Sequence, residues 1–318
     1  MRRLAALLAV VALGAVPASA APPSALHFDV FVQTGIRLTG VVWAPPQFLY
    51  IENTTNAIFA GDARGGPLRP FAALPSMVEE TRCVVSSGGH GFTARRIYCH
   101  APDNRIFEIS PGGRMIRRFA SLPTRETSDG MLAFDNVGRF GYRLVAATGR
   151  SGDANVRGGV VYTIGPRGEV RRVGRYPGPG GADSMVVAPA GFGTVAGHAL
   201  LTVDPGPGGG SVVAVGPRGR ARTIARLPDG PNPIAVIARS GAKSAAASGF
   251  YVADTNTRNV FFVSAEQLRS YTGGVLVGTE LGARFFVIRR NGAGYDAVEL
   301  QTDLPQASYN LEAATYVP

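Results

Sequence analysis

Residues 128–149 read SDGMLAFDNVGRFGYRLVAATG. An acid, Asp129, stands directly before an apolar β-like run, and a turn rich in Asp, Asn and Gly leads into a second such run. A carboxylate at the mouth of an apolar strand is a turn residue or a ligand, because both roles need oxygen at a chain reversal. Which role applies depends on whether the pattern is repeated.

It is repeated. From Thr39 the chain runs TGVVWAPPQFLYIENTTNAIFAGDARGGPLRPFAALP, and from Glu80 ETRCVVS leads to RRIYCHAPDNRIFEISPGG and MIRRFASLP. The opening quotation continues into GGVVYTIGPRGEVRRVGRYP. Asp183 opens a fourth copy closing on IARLP, and Asn232 opens a fifth, NPIAVIARS, continued by GFYVADTNTRNVFFVS. Period-two alternation with Gly, Pro, Asn and Asp punctuation marks these runs as strands. The starts lie 41, 49, 54 and 49 residues apart, the length of a four-stranded propeller blade. Such a sheet cannot cover both of its faces alone, whereas sheets packed in a ring cover one another.

The predicted fold is therefore all-β: a β-propeller of six four-stranded blades, about 24 strands, closed by an N-terminal strand (HFDVFV, 27–32) against the C-terminal end. The endings FAALP, RFASLP and IARLP read as outer strands leading to the next blade, and SAEQLRSY (264–271) as the single short helix. The residues that open the inner strands are Thr39, Glu80, Asp129, Asp183, Asn232 and, in LEAATYVP, Glu312. In a propeller they would ring one mouth of the central channel. Close packing of several carboxylates is unfavourable without a counter-ion.

Composition bounds the rest. The chain has 318 residues, 45% hydrophobic and 17% charged, with 42 Gly and 23 Pro, which allows one large domain or two small ones and implies much turn and little helix. MRRLAALLAVVALGAVPASA has the charged, apolar and small-residue regions of a secretory signal peptide cleaved after Ala20, leaving residues 21–318 as one exported domain, secreted or periplasmic. Its apolar run, Leu4 to Val16, is shorter than the roughly 20 residues that span a bilayer, so no stable membrane insertion is expected. Export places Cys83 and Cys99, on two β-like runs joined by a Gly-rich turn, where a disulfide forms. The formal charge is +10, or +8 without Arg2 and Arg3, and Lys243 is the sole lysine. The arginines are scattered beside strand ends without a basic–aromatic motif, so nucleic acid is not an expected partner. Asn53-Thr54-Thr55 matches a glycosylation sequon but reads as a turn.

On SDGMLAFDNVGRFGYRLVAA, GPNPIAVI, GFYVADTNTRNVFFVS and LEAATYVP, the sequence resembles the six-bladed propellers of the gluconolactonase and strictosidine-synthase-like group, with NHL-type repeats as relatives. The resemblance covers about residues 30–318. It implies that one divalent cation is held by a Glu, an Asn and an Asp, here Glu312, Asn232 and Asp129, and activates water or a lactone carbonyl. The motifs read EAATY and PNP, each lacking the family's glycine, and their order along the chain differs from the family's.

Two functions follow as expectations. The first is a secreted metal-dependent hydrolase of lactone or ester bonds. Asp129, Asp183, Asn232 and Glu312 would ligate a hard cation such as Ca²⁺, and Asp129 and Glu80 would be the catalytic carboxylates, with Glu80 as general base. A GxSxG motif is absent and the four histidines lack dyad or triad spacing, which argues against serine catalysis. The second is a non-catalytic extracellular or periplasmic propeller binding a small molecule, glycan or envelope protein through face loops such as 149–159 and 204–211.

Overall fold

The computed structural model describes residues 25–76, 80–206, 208–239, 241, 244–304 and 309–318. The predicted leader, residues 1–20, lies outside the described residues. Strand β1 (Asp29–Gln33) is followed by a first sheet of β2 (Leu38–Ala44), β3 (Gln47–Glu52), β4 (Ala57–Asp62) and β5 (Arg69–Ala73). The second sheet comprises β6 (Arg82–Val85), β7 (Ile97–His100), β8 (Arg105–Ile109) and β9 (Ile116–Ser121). The third holds β10 (Met131–Phe134), β11 (Leu144–Ala147), β12 (Gly159–Ile164) and β13 (Val170–Tyr176). The fourth holds β14 (Gly181–Val187), β15 (Ala199–Asp204), β16 (Gly210–Val215) and β17 (Ala221–Leu227).

The last two sheets depart from simple succession. After β18 (Pro231–Val236) the chain leaves that sheet to form β19 (Gly249–Asp254) and β20 (Asn259–Ser264), then returns for β21 (Val275–Thr279), β22 (Phe285–Asn291) and β23 (Gly294–Leu300). The final strand, β24 (Leu311–Val317), pairs with β19, giving a sixth sheet ordered β24-β19-β20-β1. The expectation that NPIAVIARS and GFYVADTNTRNVFFVS share one blade is therefore corrected. Alternation identifies a strand, but a local hairpin such as β19–β20 does not reveal which distant strand completes its sheet. SAEQLRSY is likewise corrected: it forms turns and a single 3-10 segment, Arg269–Tyr271.

Closure by an N-terminal strand is confirmed, with β1 antiparallel to β20 at the outer edge of the sixth sheet. The six inner strands β2, β6, β10, β14, β18 and β24 each touch the next around a ring. Between neighbouring sheets lie six apolar clusters. Leu49 and Ile51 meet Cys83 and Ile97 between the first two sheets, and Phe250 and Val252 meet Leu276 and Phe285 between the last two. Each large aliphatic or aromatic side chain buried there contributes roughly 1.5–3 kcal/mol.

Polar turns stitch the sheets at the same places. Asn56 and Asn104 both adopt positive φ, +54° and +62°, a conformation Asn tolerates well. The Asn56 side-chain oxygen accepts from Thr81 Oγ1 at 3.2 Å, and that of Asn104 from Ser128 Oγ at 3.1 Å. Each bond ties a hairpin turn to the start of the next inner strand. Cys83 and Cys99 face each other across β6 and β7 and form the expected disulfide.

Candidate functional site at the channel mouth

The heads of the inner strands converge. Thr39, Asp183, Asn232 and Glu312 lie near the start of β2, β14, β18 and β24, while Glu80 and Asp129 fall two residues before β6 and β10. All but Glu80 are buried, with Asp129 6% exposed, Asp183 1%, Asn232 0% and Glu312 3%. What they surround was not anticipated. Arg82, the first residue of β6, extends its guanidinium into their midst.

Arg82 Nη2 donates to Asp183 Oδ1 at 2.9 Å, Glu80 Oε2 at 3.1 Å, Glu312 Oε2 at 3.2 Å and Asn232 Oδ1 at 3.4 Å. Its Nη1 donates to the Thr39 carbonyl oxygen. Asn232 also donates from Nδ2 to Glu312 Oε2 at 3.1 Å and accepts from Ser184 Oγ at 3.3 Å. Burial disfavours the charge of Arg82, but Glu80, Asp183 and Glu312 outweigh it, so the guanidinium pKa is raised and the charge held.

Asp129 stands to one side. Its Oδ2 accepts the backbone N–H of Ser151, and burial followed by repulsion from Glu80 pushes its pKa up to about 7. Burial likewise raises Asp183 and Glu312, against the pull of Arg82. A second group is built on Asp183 with Asp204, the last residue of β15, and Glu280, just after β21. Asp204 and Glu280 share a side-chain hydrogen bond, and burial, reinforced by Glu312 and Asp204, raises Glu280 to about 8. One guanidinium thus pairs with three of six clustered carboxyl groups, and protonated acids at neutral pH make up part of the compensation.

The 149–158 segment packs against the Asp129 and Asp204 side of this mouth. Besides the Ser151 contact, Gly152 N–H donates to the Asp204 carbonyl at 3.1 Å and Gly181 N–H to the Arg150 carbonyl at 2.9 Å. A side chain at Gly181 would place its Cβ 2.3 Å from the Arg150 carbonyl oxygen, so the close approach of the segment requires glycine there.

Inside the acid layer the channel is different in character. It is a cavity of about 500 Å³ walled by the inner strands, with Val42, Val84, Val186 and Val236 along it and Arg82 at its inner end. Trp43, Phe134 and Tyr316, all half-buried, lie toward the other end, where the inner strands finish.

Several solved structures share this shape. A soluble aldose sugar dehydrogenase from Escherichia coli, in its apo form, superposes with a TM-score of 0.58 at 12% identity, over 89% of this chain and 97% of that one. A gluconolactonase-family protein gives 0.51 at 11% identity over 89% and 84%, and a nidogen/laminin complex chain 0.53 at 10% over 87% and 84%. The chain is a six-bladed β-propeller. No protein-family model and no curated protein matches its sequence.

The divalent ion expected from the sequence resemblance can be tested against the geometry of the mouth. The carboxylate oxygens of Glu80, Asp183 and Glu312, and those of Asp183, Asp204 and Glu280, lie within 4.8 Å of one another, close enough in each group to share a cation. At the first group a divalent ion does not fit beside Arg82, whose Nη2 already occupies the point on which those oxygens and Asn232 converge. The second group keeps a hydrogen bond between two acids.

Of the four expected ligands, Asp183, Asn232 and Glu312 converge together with Glu80, which was expected as the general base, whereas Asp129, expected as the fourth ligand, is held apart by the Ser151 N–H. Sequence reasoning missed Arg82, Asp204 and Glu280. The signal for Arg82 was a charged residue opening an inner strand, RCVV, where burial is tolerated only with partners. Asp204 terminates ALLTVD, a strand buried throughout, before a proline-glycine loop. Glu280 follows another wholly buried strand, VLVGT, with no motif to mark it.

Among the described residues no helix is long and apolar enough to cross a membrane.

Proposed function

We propose that this chain is an exported, non-catalytic propeller that takes a small molecule into its central channel from the end opposite the acids. The observation that carries this reading is the position of Arg82. Its guanidinium occupies the point in the acid ring that an ion-dependent hydrolase would leave free for metal, and it lines the inner end of a cavity of about 500 Å³. Cavities of roughly 300–1,000 Å³ with apolar walls and a few polar groups are the usual form of small-molecule sites. The segment 149–158 is hydrogen-bonded over the Asp129 and Asp204 side of the acid mouth, which favours the aromatic end as the route of entry. Export is supported by the leader pattern of residues 1–20 and by the disulfide.

A second reading is metal-dependent hydrolysis of a lactone or ester, favoured by the mutual proximity of Asp183, Asp204 and Glu280. These hard oxygen donors are the set left for a cation such as Ca²⁺, with Asp129 and Glu80 as the carboxylates available for proton transfer.

The two readings separate in one assay. The mature chain is offered aryl esters and γ-lactones with Ca²⁺, Mn²⁺ or Zn²⁺, and again with a chelator. The binding reading predicts turnover at the uncatalysed rate in every condition. Turnover that needs metal and is lost in Asp129→Ala or Glu80→Ala would replace it with the hydrolase.

A further inference from the structure

The departure of β19 and β20 from the fifth sheet places two connections side by side where the inner strands end. One carries the chain out of β18 toward β19, and the other, residues 265–274, brings it back from β20 to β21. They are joined at Ile237, whose N–H donates to the Gly274 carbonyl at 3.0 Å and whose carbonyl accepts from Gly273 N–H at 2.8 Å. Across the end of the fifth sheet, from this junction to Pro189 and Phe192, lies a second cavity of about 970 Å³. It shares Val236 and Tyr316 with the aromatic end of the channel. Val236 ends β18, whereas Asn232, in the acid ring, lies near its start, so this cleft is on the face away from the acids.

The charged lining of the cleft is almost all of one sign. Arg239 comes from the outgoing connection, Arg269 from the returning one, and Arg289 and Arg290 from the end of β22, with Glu266 as the one acid. All four arginines are exposed. Glu266 pairs with Arg269 at the surface, where such a pair contributes little. Arg290 donates its Nε–H to the Gly292 carbonyl at 3.0 Å, which leaves its terminal nitrogens. The side chains of Arg239 and Arg289 have no ion pair or hydrogen bond among the described residues.

Four guanidinium groups with one acid between them raise the local potential, and an anion relieves their mutual repulsion. Guanidinium N–H forks match the paired oxygens of carboxylates and phosphates. The acids at the other end of the same strands repel such a ligand, so the field along the ring axis directs it to this face. A ligand with two or more anionic groups engages arginines of both the connections and β22 at once, and is held more tightly than a monoanion.

We infer that this cleft binds a small multivalent oxyanion, a polycarboxylate or a phosphate-bearing molecule, through Arg239, Arg269, Arg289 and Arg290. The site is separate from the channel and stands whether the channel binds a ligand or hydrolyses one.

Calorimetric titration of the mature chain with citrate, inorganic pyrophosphate and acetate, at fixed ionic strength, tests the assignment. Citrate or pyrophosphate is expected to bind at one site about tenfold or more tightly than acetate, the better of the two identifying the oxyanion class. Arg239→Gln combined with Arg289→Gln is expected to weaken that binding about tenfold or more. Arg114→Gln combined with Arg118→Gln removes the same charge from exposed positions at the outer edge of the second sheet, and is expected to change it less than about twofold. Equal weakening by the two pairs would reduce the effect to general charge attraction and overturn the site. Acetate bound as tightly as the multivalent anions, or no saturable uptake of citrate or pyrophosphate, would overturn it as well.

Discussion

Arg82 and Asp183 sit 101 residues apart in the chain, and their side chains meet at 2.9 Å at the centre of the ring. The pair joins the second sheet to the fourth across the channel, and Glu312 joins the sixth to the same nitrogen. A buried ion cluster of this kind is weak evidence for stability as such, since desolvation offsets much of the attraction. Its removal is another matter.

Arg82→Met keeps most of the side-chain volume and removes the charge. Asp183 and Glu312 are then left buried without their counter-ion, with the part-exposed Glu80 beside them, so a loss of about 3–5 kcal/mol is expected. Urea unfolding of the two proteins measures it. Glu312→Gln, which retains a hydrogen-bonding oxygen for Arg82 and Asn232, is expected to cost less than half as much. A larger loss in Glu312→Gln than in Arg82→Met would show that the arginine is not the organising charge.

The raised carboxyl pKa values set a pH dependence. Asp129 titrates near 7 and Glu280 near 8 in the folded chain, against ordinary values of 3.8 and 4.5. Where the folded pKa lies above the unfolded one, the contribution to stability is complete below the unfolded value and is lost as pH rises to the folded one. His100 acts in the opposite sense, because burial lowers it to about 4 and stability falls below pH 6.5 as the unfolded imidazole charges. Above pH 6.5 only the acids of this set contribute. Melting temperature is expected to fall between pH 6.5 and 8, and Asp129→Asn is expected to flatten the lower part of that fall. A melting temperature that rises across the window would contradict the shifts.

The disulfide closes a short loop between positions 83 and 99 in the second sheet. Chain-entropy arguments give about 3 kcal/mol for a loop of roughly 15 residues. Replacing both cysteines with serine is expected to lower stability by an amount of that order, because the sulfurs pack between the first two sheets. Unchanged denaturation midpoints in the double variant would remove the bridge from the stability account.

Strand β1 closes the ring. Its loss would expose the edge of β20 with its row of unpaired N–H and C=O groups, a template for pairing with another chain. A chain starting at Gly35 is expected to self-associate and to unfold with reduced cooperativity, as read by size-exclusion chromatography and calorimetry. A monomer with an unaltered melting profile would mean that closure resides elsewhere.

The blade frame was legible because each copy repeats an acid or amide, an apolar run and a Gly-Pro turn at a near-constant spacing. Thr39, Glu80, Asp129, Asp183, Asn232 and Glu312 could be placed on one mouth for that reason alone. The exchange of β19 and β20 into the sixth sheet was not legible, since period-two alternation is the same whichever sheet a hairpin joins. Arg82 escaped notice for a related reason. It occupies the opening position of a strand where the repeat showed no charge elsewhere, and only the folded ring brings Glu80, Asp183 and Glu312 to it. Asp204 and Glu280 come from strand ends 76 residues apart, and nothing local couples them.

The most direct measurement is divalent-ion uptake by the unaltered mature chain, by equilibrium dialysis against Ca²⁺, Mn²⁺ and Zn²⁺, with Asp183→Asn and Glu312→Gln in parallel. With Arg82 as the resident cation of the ring, uptake by the unaltered chain should not exceed that of the two variants. One tightly held ion per chain, lost in both variants, would contradict the account.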